Sequence, residues 1–259
     1  MRGNGSRPPA RTPRRVKIQI VPDHRSHRGA GPEDARLFGA DAVPRMRAAV
    51  GDLSWLLSRG YAQPSAVKIV GDRYTLDARQ RMATTRSACT DRQRDDRISR
   101  EVSSETLAGN ALLIDGYNVL TTIEVAMGGG VILRGRDTAF RDIAGVHGTY
   151  RKVEETSAVI EAIGATAAEL GVVRCAWFLD SPVSNSGRLK GILRDAAAAH
   201  GWDWTIELVQ NPDAVLIASD RIIASSDSVV LDGCARWFNL AAAVIQRRVP
   251  NAWIVDLAE

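Results

Sequence analysis

Five aspartates stand where a phosphate-handling enzyme would need them. Asp115 follows Ala111-Leu112-Leu113-Ile114, Asp180 follows Cys175-Ala176-Trp177-Phe178-Leu179, and Asp256 closes the run from Ala252 to Val255. Asp227 comes after Ile222-Ile223-Ala224 and two serines, and Asp213 opens the short helical stretch before them. An apolar run of four or five residues reads as a buried strand, most naturally in a parallel sheet. The strand ends of such a sheet share one edge, where open α/β folds place their ligands. A lone Asp at such a point is an ordinary helix or turn cap. Several on one rim repel one another unless a cation sits among them. Carboxylates with waters suit Mg²⁺ or Mn²⁺. Such a metal makes a bound water a nucleophile toward phosphorus. Asn118, three residues after Asp115, adds a carboxamide that can hold a water or a phosphate.

The elements that must position these groups follow from periodicity. From residue 110 onward, strands alternate with helices, which predicts an α/β domain over 110–259 with a parallel, doubly wound sheet. The strands are 111–115, 175–179, 205–209, 222–224 and 252–255, and all five are expected in one sheet. Helices are expected at 152–170, at 187–200 with Ser186 as its cap, as a short turn after Asp213, and at 235–247. Val131-Ile132-Leu133, after Gly128-Gly129-Gly130, reads as a hairpin arm or flap.

Residues 41–100 read as a small, mainly helical module. Val43, Met46, Val50, Leu53 and Leu57 recur at helical spacing up to Gly60. A second segment opens at Pro64 and runs to Val70, Gly71-Asp72 turns, and Asp77 caps a third helix. The dense charge of 91–100 reads as a linker. Residues 1–40, rich in Arg, Pro and Gly, read as a disordered basic tail in which Val16–Val21 is a brief strand at most.

The formal net charge is +4 over 259 residues, but it is unevenly spread. Residues 1–48 hold 11 Lys and Arg against 4 Asp and Glu, 49–100 hold 10 against 6, and 101–259 hold 13 against 20. A basic front and an acidic back fit a chain whose first part approaches a polyanion while the second holds cations. Arg79 and Arg86, seven apart on one helical face, and Arg134, Arg136 and Arg141, beside the flap, can lie along a phosphate backbone. A solvated face and surface ion pairs are the competing readings. Trp55, Tyr61 and Tyr74 can stack on bases or form the core of the module, and Trp202 and Trp204 read as packing. Ser181–Gly187 precedes a helix start, and capping outweighs anion binding there.

Several classes drop away. No stretch approaches the roughly 20 apolar residues of a membrane span, and no secretory signal opens the chain. The cytoplasm is the expected location, with no membrane partner. Cys89, Cys175 and Cys234 and the four histidines form no metal signature. There is no nucleophile elbow, dinucleotide-binding glycine motif or phosphate loop.

Ile114-Asp115-Gly116-Tyr117-Asn118 resembles the first-strand motif of the PIN-like nucleases, especially the NYN branch, whose signature is Asp-Gly-x-Asn. Asp213-Ala214-Val215-Leu216-Ile217-Ala218, followed by Ala224-Ser225-Ser226-Asp227, is similar to the later Asp-helix and Ser/Thr-x-Asp pair of that family. The resemblance implies a metal-dependent ribonuclease core. Asp115, Asp213 and Asp227 would be ligands, Asn118 a supporting polar group, and Asp180 a further ligand or orienter. Glu161 is nearest in spacing to the family's helical Glu, yet it flanks its helix's apolar stripe and reads equally as a solvated side chain. Asp52–Tyr61 and Val70–Leu76 resemble the N-terminal module catalogued as domain of unknown function 434, which precedes a PIN-like domain in an uncharacterised prokaryotic family. The expectation is a Mg²⁺- or Mn²⁺-dependent nuclease acting on RNA. A non-catalytic nucleic-acid-binding or protein-interaction module stands as the alternative, a small-molecule phosphohydrolase as the third reading, and self-association stays open.

Overall fold

The computed structural model describes residues 27–144, 150 and 152–258. The strand expected at 16–21 lies outside them. Helices α1 (Asp34–Leu37), α2 (Val43–Ser58), α3 (Gln63–Arg73), α4 (Ala78–Ser87) and α5 (Asp91–Arg100) come first. An α/β domain follows, built on an all-parallel sheet of five strands: β1 (Ala111–Asp115), β4 (Arg174–Asp180), β5 (Trp204–Val209), β6 (Ile222–Ala224) and β7 (Arg236–Trp237), in the order β5-β4-β1-β6-β7. The expected architecture, a helical module followed by a parallel α/β domain, is the one found.

Alternation along β1 shows why the sheet is buried on both faces. Leu112 and Ile114 join a core with α6 (Gly116–Met127), α7 (Thr156–Glu169), α8 (Ser186–His200) and α11 (Leu240–Arg248). Leu113 turns to the opposite core, built by α9 (Pro212–Ile217) and α10 (Ser228–Gly233) with Ile223 and Trp237. Side chains on a strand alternate between faces, so one apolar run feeds two cores. Gly116 belongs to this packing. A Cβ there would meet Leu179 Cδ2 at 2.3 Å and the Phe178 carbonyl oxygen at 3.0 Å, so only glycine lets α6 leave β1 so close to β4.

A second sheet of three strands has the order β3-β2-β8, from β2 (Val131–Arg134), β3 (Phe140–Asp142) and β8 (Trp253–Asp256). This corrects one expectation and decides between the two readings of another. The last strand runs parallel to β2 rather than joining the main sheet. Of the two readings of Val131–Leu133, the hairpin arm is the one found: β2 pairs antiparallel with β3, and Ile132 and Leu133 are at 0% exposure, so it is no flap. Ile132 faces the α6 core, while Val131 and Leu133 join Met46, Val50, Leu53 and Val70 of the helical module. The small sheet therefore joins the two units.

Further departures have local causes. The stretch 91–100 is a helix, because Thr90 and Gln93 form a reciprocal capping box at its start. Helix α3 runs through Gly71-Asp72 to Arg73. Residues 27–40 are packed rather than a loose tail: Leu37 and Phe38 are buried, and Arg28 pairs with the buried Glu124 at 2.7 Å. The helix expected at 235–247 is split, Asn239 capping α11 after β7. Asn185, in the left-handed region, precedes α8, and Ser186 donates to the Ser181 carbonyl instead of capping. Trp55 and Tyr61 are half exposed rather than core, and the Arg59 guanidinium lies 3.6 Å over the Trp55 ring. Trp202 stacks on Trp204 with centroids 4.8 Å apart, as packing. Among the described residues no helix is long and apolar enough to cross a membrane.

Candidate functional site

A cleft of about 670 Å³ lies at the carboxyl ends of β1, β4 and β6, and the helical module forms its facing wall. Asp115, Asn118, Asp180, Asp213 and Asp227 all line it. Asp256 does not reach this rim, because β8 belongs to the other sheet, where Asp256 pairs with Arg134 at 3.0 Å. Glu161 is exposed on α7, away from the cleft.

Asp115 sits at the start of α6, but its carboxylate makes no cap to that helix. It accepts instead from Ser225 Oγ at 2.7 Å. Burial, with 7% of the residue exposed, pushes its carboxyl up to about 7; Ser225 opposes the shift, and Asp213, Asp227 and Asp180 add to it. The Ser225 hydroxyl also accepts from the Asp227 backbone N–H at 3.0 Å. One serine thus ties the end of β1 to the turn after β6.

Asn118 is fixed by the next serine. Its Oδ1 accepts from both the backbone N–H and the Oγ of Ser226, at 2.8 and 3.0 Å. With the carbonyl end so occupied, the amide NH₂ is the end left to the cleft, and it can only donate. Asn118 is therefore built to meet an anionic or lone-pair oxygen rather than a cation.

The other acids differ in how far the fold uses them. Asp227 caps α10, its Oδ1 accepting from Val229 N–H at 2.7 Å and Val230 N–H at 3.4 Å. Asp213 is relieved of that duty, because Asn211 caps α9. Burial raises the Asp213 carboxyl, with Asp227 and Asp180 adding to it, and burial likewise raises Asp180. Asp213 has no hydrogen-bond or ion-pair partner among the described residues, and the Asp180 carboxylate has only its own backbone N–H, which opposes the rise. One unpartnered carboxylate, and a second held only by its own backbone, therefore share a cleft with two others. As placed, no three His, Cys, Asp or Glu side chains among the described residues come close enough to grip a metal ion. The acids surround a common space without meeting in it. That suits a hydrated Mg²⁺, which is held through one or two carboxylates, waters and substrate phosphate rather than in an all-protein cage.

The five arginines read as a phosphate path are largely engaged within the protein. Arg79 grips Asp34 through Nε and Nη2 at 2.5 and 2.9 Å. Arg134 pairs with Asp256, and Arg136 holds Asp91 and the Cys89 carbonyl. Arg141 is buried against Asp137 and the Ser226 carbonyl. Only Arg86 and Arg141 of the five line the cleft. Sequence reasoning missed Arg97, which was hidden in the supposed linker and reaches both the cleft and Asp137. It also missed Ser225 and Ser226 as the clamp on Asp115 and Asn118; their place before Asp227 was the available signal. Tyr117 lines the cleft as well, with its hydroxyl buried and unpartnered among the described residues.

Residues 45–100 match the family described as Protein of unknown function (DUF434). Residues 104–243 match Domain of unknown function (DUF5616), a span that holds Asp115, Asn118, Asp180, Asp213 and Asp227 and stops short of Asp256. The two matches meet at the end of α5. The chain is also 27% identical over 180 residues to the Uncharacterized protein MJ0935 of Methanocaldococcus jannaschii, covering 70% of this chain and 86% of that one. No solved structure matches. By the larger of the two family matches, which spans the carboxylate cleft, the chain belongs to the family described as Domain of unknown function (DUF5616).

Proposed function

We propose that this protein is a PIN-like, metal-dependent nuclease that hydrolyses phosphodiester bonds in RNA. The observation that carries the reading is the set of four aspartates on one sheet edge, of which Asp213 has no partner among the described residues and Asp180 only its own backbone N–H. Mutual repulsion in a part-buried site is relieved by a divalent cation. Asp115, Asp213 and Asp227 would hold a hydrated Mg²⁺ or Mn²⁺, one or two of them directly and the rest through its waters, with Asp180 as a further ligand or orienter. Bound there, the ion would make a coordinated water acidic and neutralise charge building on phosphorus.

The residues divide the remaining work. Ser225 holds Asp115 by its Oδ2, so the carboxylate cannot turn back to cap α6. Asn118, its NH₂ directed at the cleft by Ser226, donates to a phosphate oxygen and fixes it for in-line attack. Asp180, lifted by burial, is suited to accept a proton from the attacking water. The alternative, a non-catalytic nucleic-acid-binding module on the same fold, draws on the spacing that keeps three acids from meeting.

The deciding experiment incubates the full chain with labelled single-stranded RNA in Mn²⁺, in Mg²⁺ and in chelator. Cleavage is expected with metal and none with chelator. Asp115→Asn and Asp213→Asn are each expected to lower the rate at least about a hundredfold, the scale on which a single charge-stabilising group acts. No metal-dependent cleavage across several RNAs would sink the nuclease reading, and cleavage unchanged in both variants would place the site elsewhere. Turnover of a mononucleotide in preference to RNA would favour a phosphohydrolase.

A further inference from the structure

Three arginines line the carboxylate cleft, and they differ in how many donors they have left. A guanidinium offers five N–H groups on three nitrogens. Arg141 spends all three nitrogens, Nε on the Ser226 carbonyl and both Nη on Asp137. Arg97 does the same, with Nε on Asp232, Nη1 on Asp137, and Nη2 on the Ser228 carbonyl and Asp232. Among the described residues Arg86 spends one. Its Nη1 donates to the Asp142 carbonyl at 2.6 Å and lies 3.4 Å from the Asp142 carboxylate. Nε and Nη2 remain, and the side chain is 30% exposed in the cleft wall. These two nitrogens form the side-on fork that Arg79 uses on Asp34. That fork matches two oxygens of a carboxylate or a phosphate.

The cleft's own shape limits what brings the phosphate. Its floor is Asp115, 7% exposed, and its facing wall comes from the helical module through Gln63, Thr85, Arg86 and Thr90. A base-paired helix carries its phosphates on a rigid cylinder too broad to bring one to the floor of a 670 Å³ cleft. A single strand can thread it, with its bases splayed toward neutral polar side chains.

We infer that Arg86 holds, side-on, a phosphate of a single-stranded polynucleotide, presenting it across the cleft to the carboxylates of the other wall. This names the substrate class and a binding residue for the site of the nuclease reading, and rests on that reading for the site's location. Asp142 pins one end of the guanidinium, so the fork is oriented before substrate arrives. The carboxylate wall supplies metal and the module wall supplies the cation that fixes substrate register, which gives the helical module a task in the reaction.

The test measures binding of a fluorescein-labelled single-stranded RNA, the same strand annealed to its complement, and adenosine monophosphate as competitor. It uses the full chain in Mg²⁺ and compares wild type, Arg86→Gln and Arg86→Lys. Wild type is expected to favour the single strand over the duplex by about tenfold or more. Loss of a bidentate charge-assisted contact is expected to weaken single-strand binding about tenfold in Arg86→Gln. The slope of log affinity on log salt should become shallower by about 0.7. Arg86→Lys keeps a cation that can still reach the Asp142 carbonyl, so it guards against misfolding; melting as wild type, it is expected to recover only part of the affinity. Equal affinity for duplex would overturn the single-strand assignment, and a mononucleotide binding as tightly as the oligonucleotide would overturn the polynucleotide. Wild-type affinity and salt slope in Arg86→Lys and Arg86→Gln would overturn the role of Arg86. Arg86-dependent binding with no cleavage in any metal sinks the nuclease reading and leaves this inference standing. Metal-dependent cleavage with unchanged kcat/KM in both variants does the reverse.

Discussion

Asp137 shows how much charge this protein buries away from its carboxylate rim. It is 1% exposed and lies between Arg141 and Arg97 at 2.6 and 2.7 Å. Burial alone would push its carboxyl up, but Arg141 and then Arg97 outweigh it and bring it to about 2, against 3.8 in the unfolded chain. The folded value is the lower, so the stabilisation is complete above pH 3.8 and is lost as pH falls through about 2. The difference corresponds to about 2 kcal/mol. Urea unfolding across acid pH should show wild-type stability dropping over that window. Asp137→Asn should be weaker at pH 7 by about 3–5 kcal/mol, because two buried arginines lose their partner, and flatter below pH 4. An equally steep acid loss in the variant would show that other carboxylates drive it. None of this is visible in the sequence, where Arg97 sits in a charged run and Asp137 beside two arginines that read as a phosphate path. Spacing shows that charges are present, whereas only the fold shows which of them face inward.

Elements were legible where local signals agree. The strands at 111–115 and 222–224 are short apolar runs ending in turn chemistry, and strand, parallel pairing and shared rim all follow from that. The same logic misplaced 252–255, because an apolar run pairs equally well with either sheet, and the choice depends on β2, more than a hundred residues away. Helix α5 failed for the opposite reason. Its apolar content is almost nil, and what holds it is a cap and polar ties: Thr90 and Gln93 at its start, and Arg97 and Gln93 to Asp232 of α10. Thr90→Ala removes the cap and is expected to cost about 1 kcal/mol, or a melting temperature lower by about 2–4 °C in a chain of this size. Because Arg97 and Gln93 line the cleft from α5, amide exchange across 91–97 should speed up in the same variant. Unchanged exchange there would mean that the ties to Asp232 hold the helix without its cap.

At the scale of the whole molecule, one family match ends at residue 100 and the other begins at 104, yet the fold does not separate two independent cores there. Val131 and Leu133 of β2, Ile143, Val255 and Leu257 pack with Met46, Val50, Leu53, Val70 and Ala83 of the helical module. The segment before that module is tied in as well, Arg28 to Glu124 and Asp34 to Arg79. A fragment of 101–259 would therefore expose one side of the small sheet. It would also leave Asp137 with Arg141 but without Arg97, and Asp142 without Arg86. Burying an aliphatic side chain contributes about 1.5–3 kcal/mol, so five such side chains returned to water together with a broken buried ion pair exceed the whole stability of a typical domain. Expressed alone, this fragment should aggregate or melt without a cooperative transition, while the full chain melts as one unit; calorimetry on both is the direct comparison. A fragment that melts cooperatively near the full chain's temperature would show that the helical module is an appendage. The shared core would then carry no weight, and the facing wall of the cleft would be free to move away from the carboxylates.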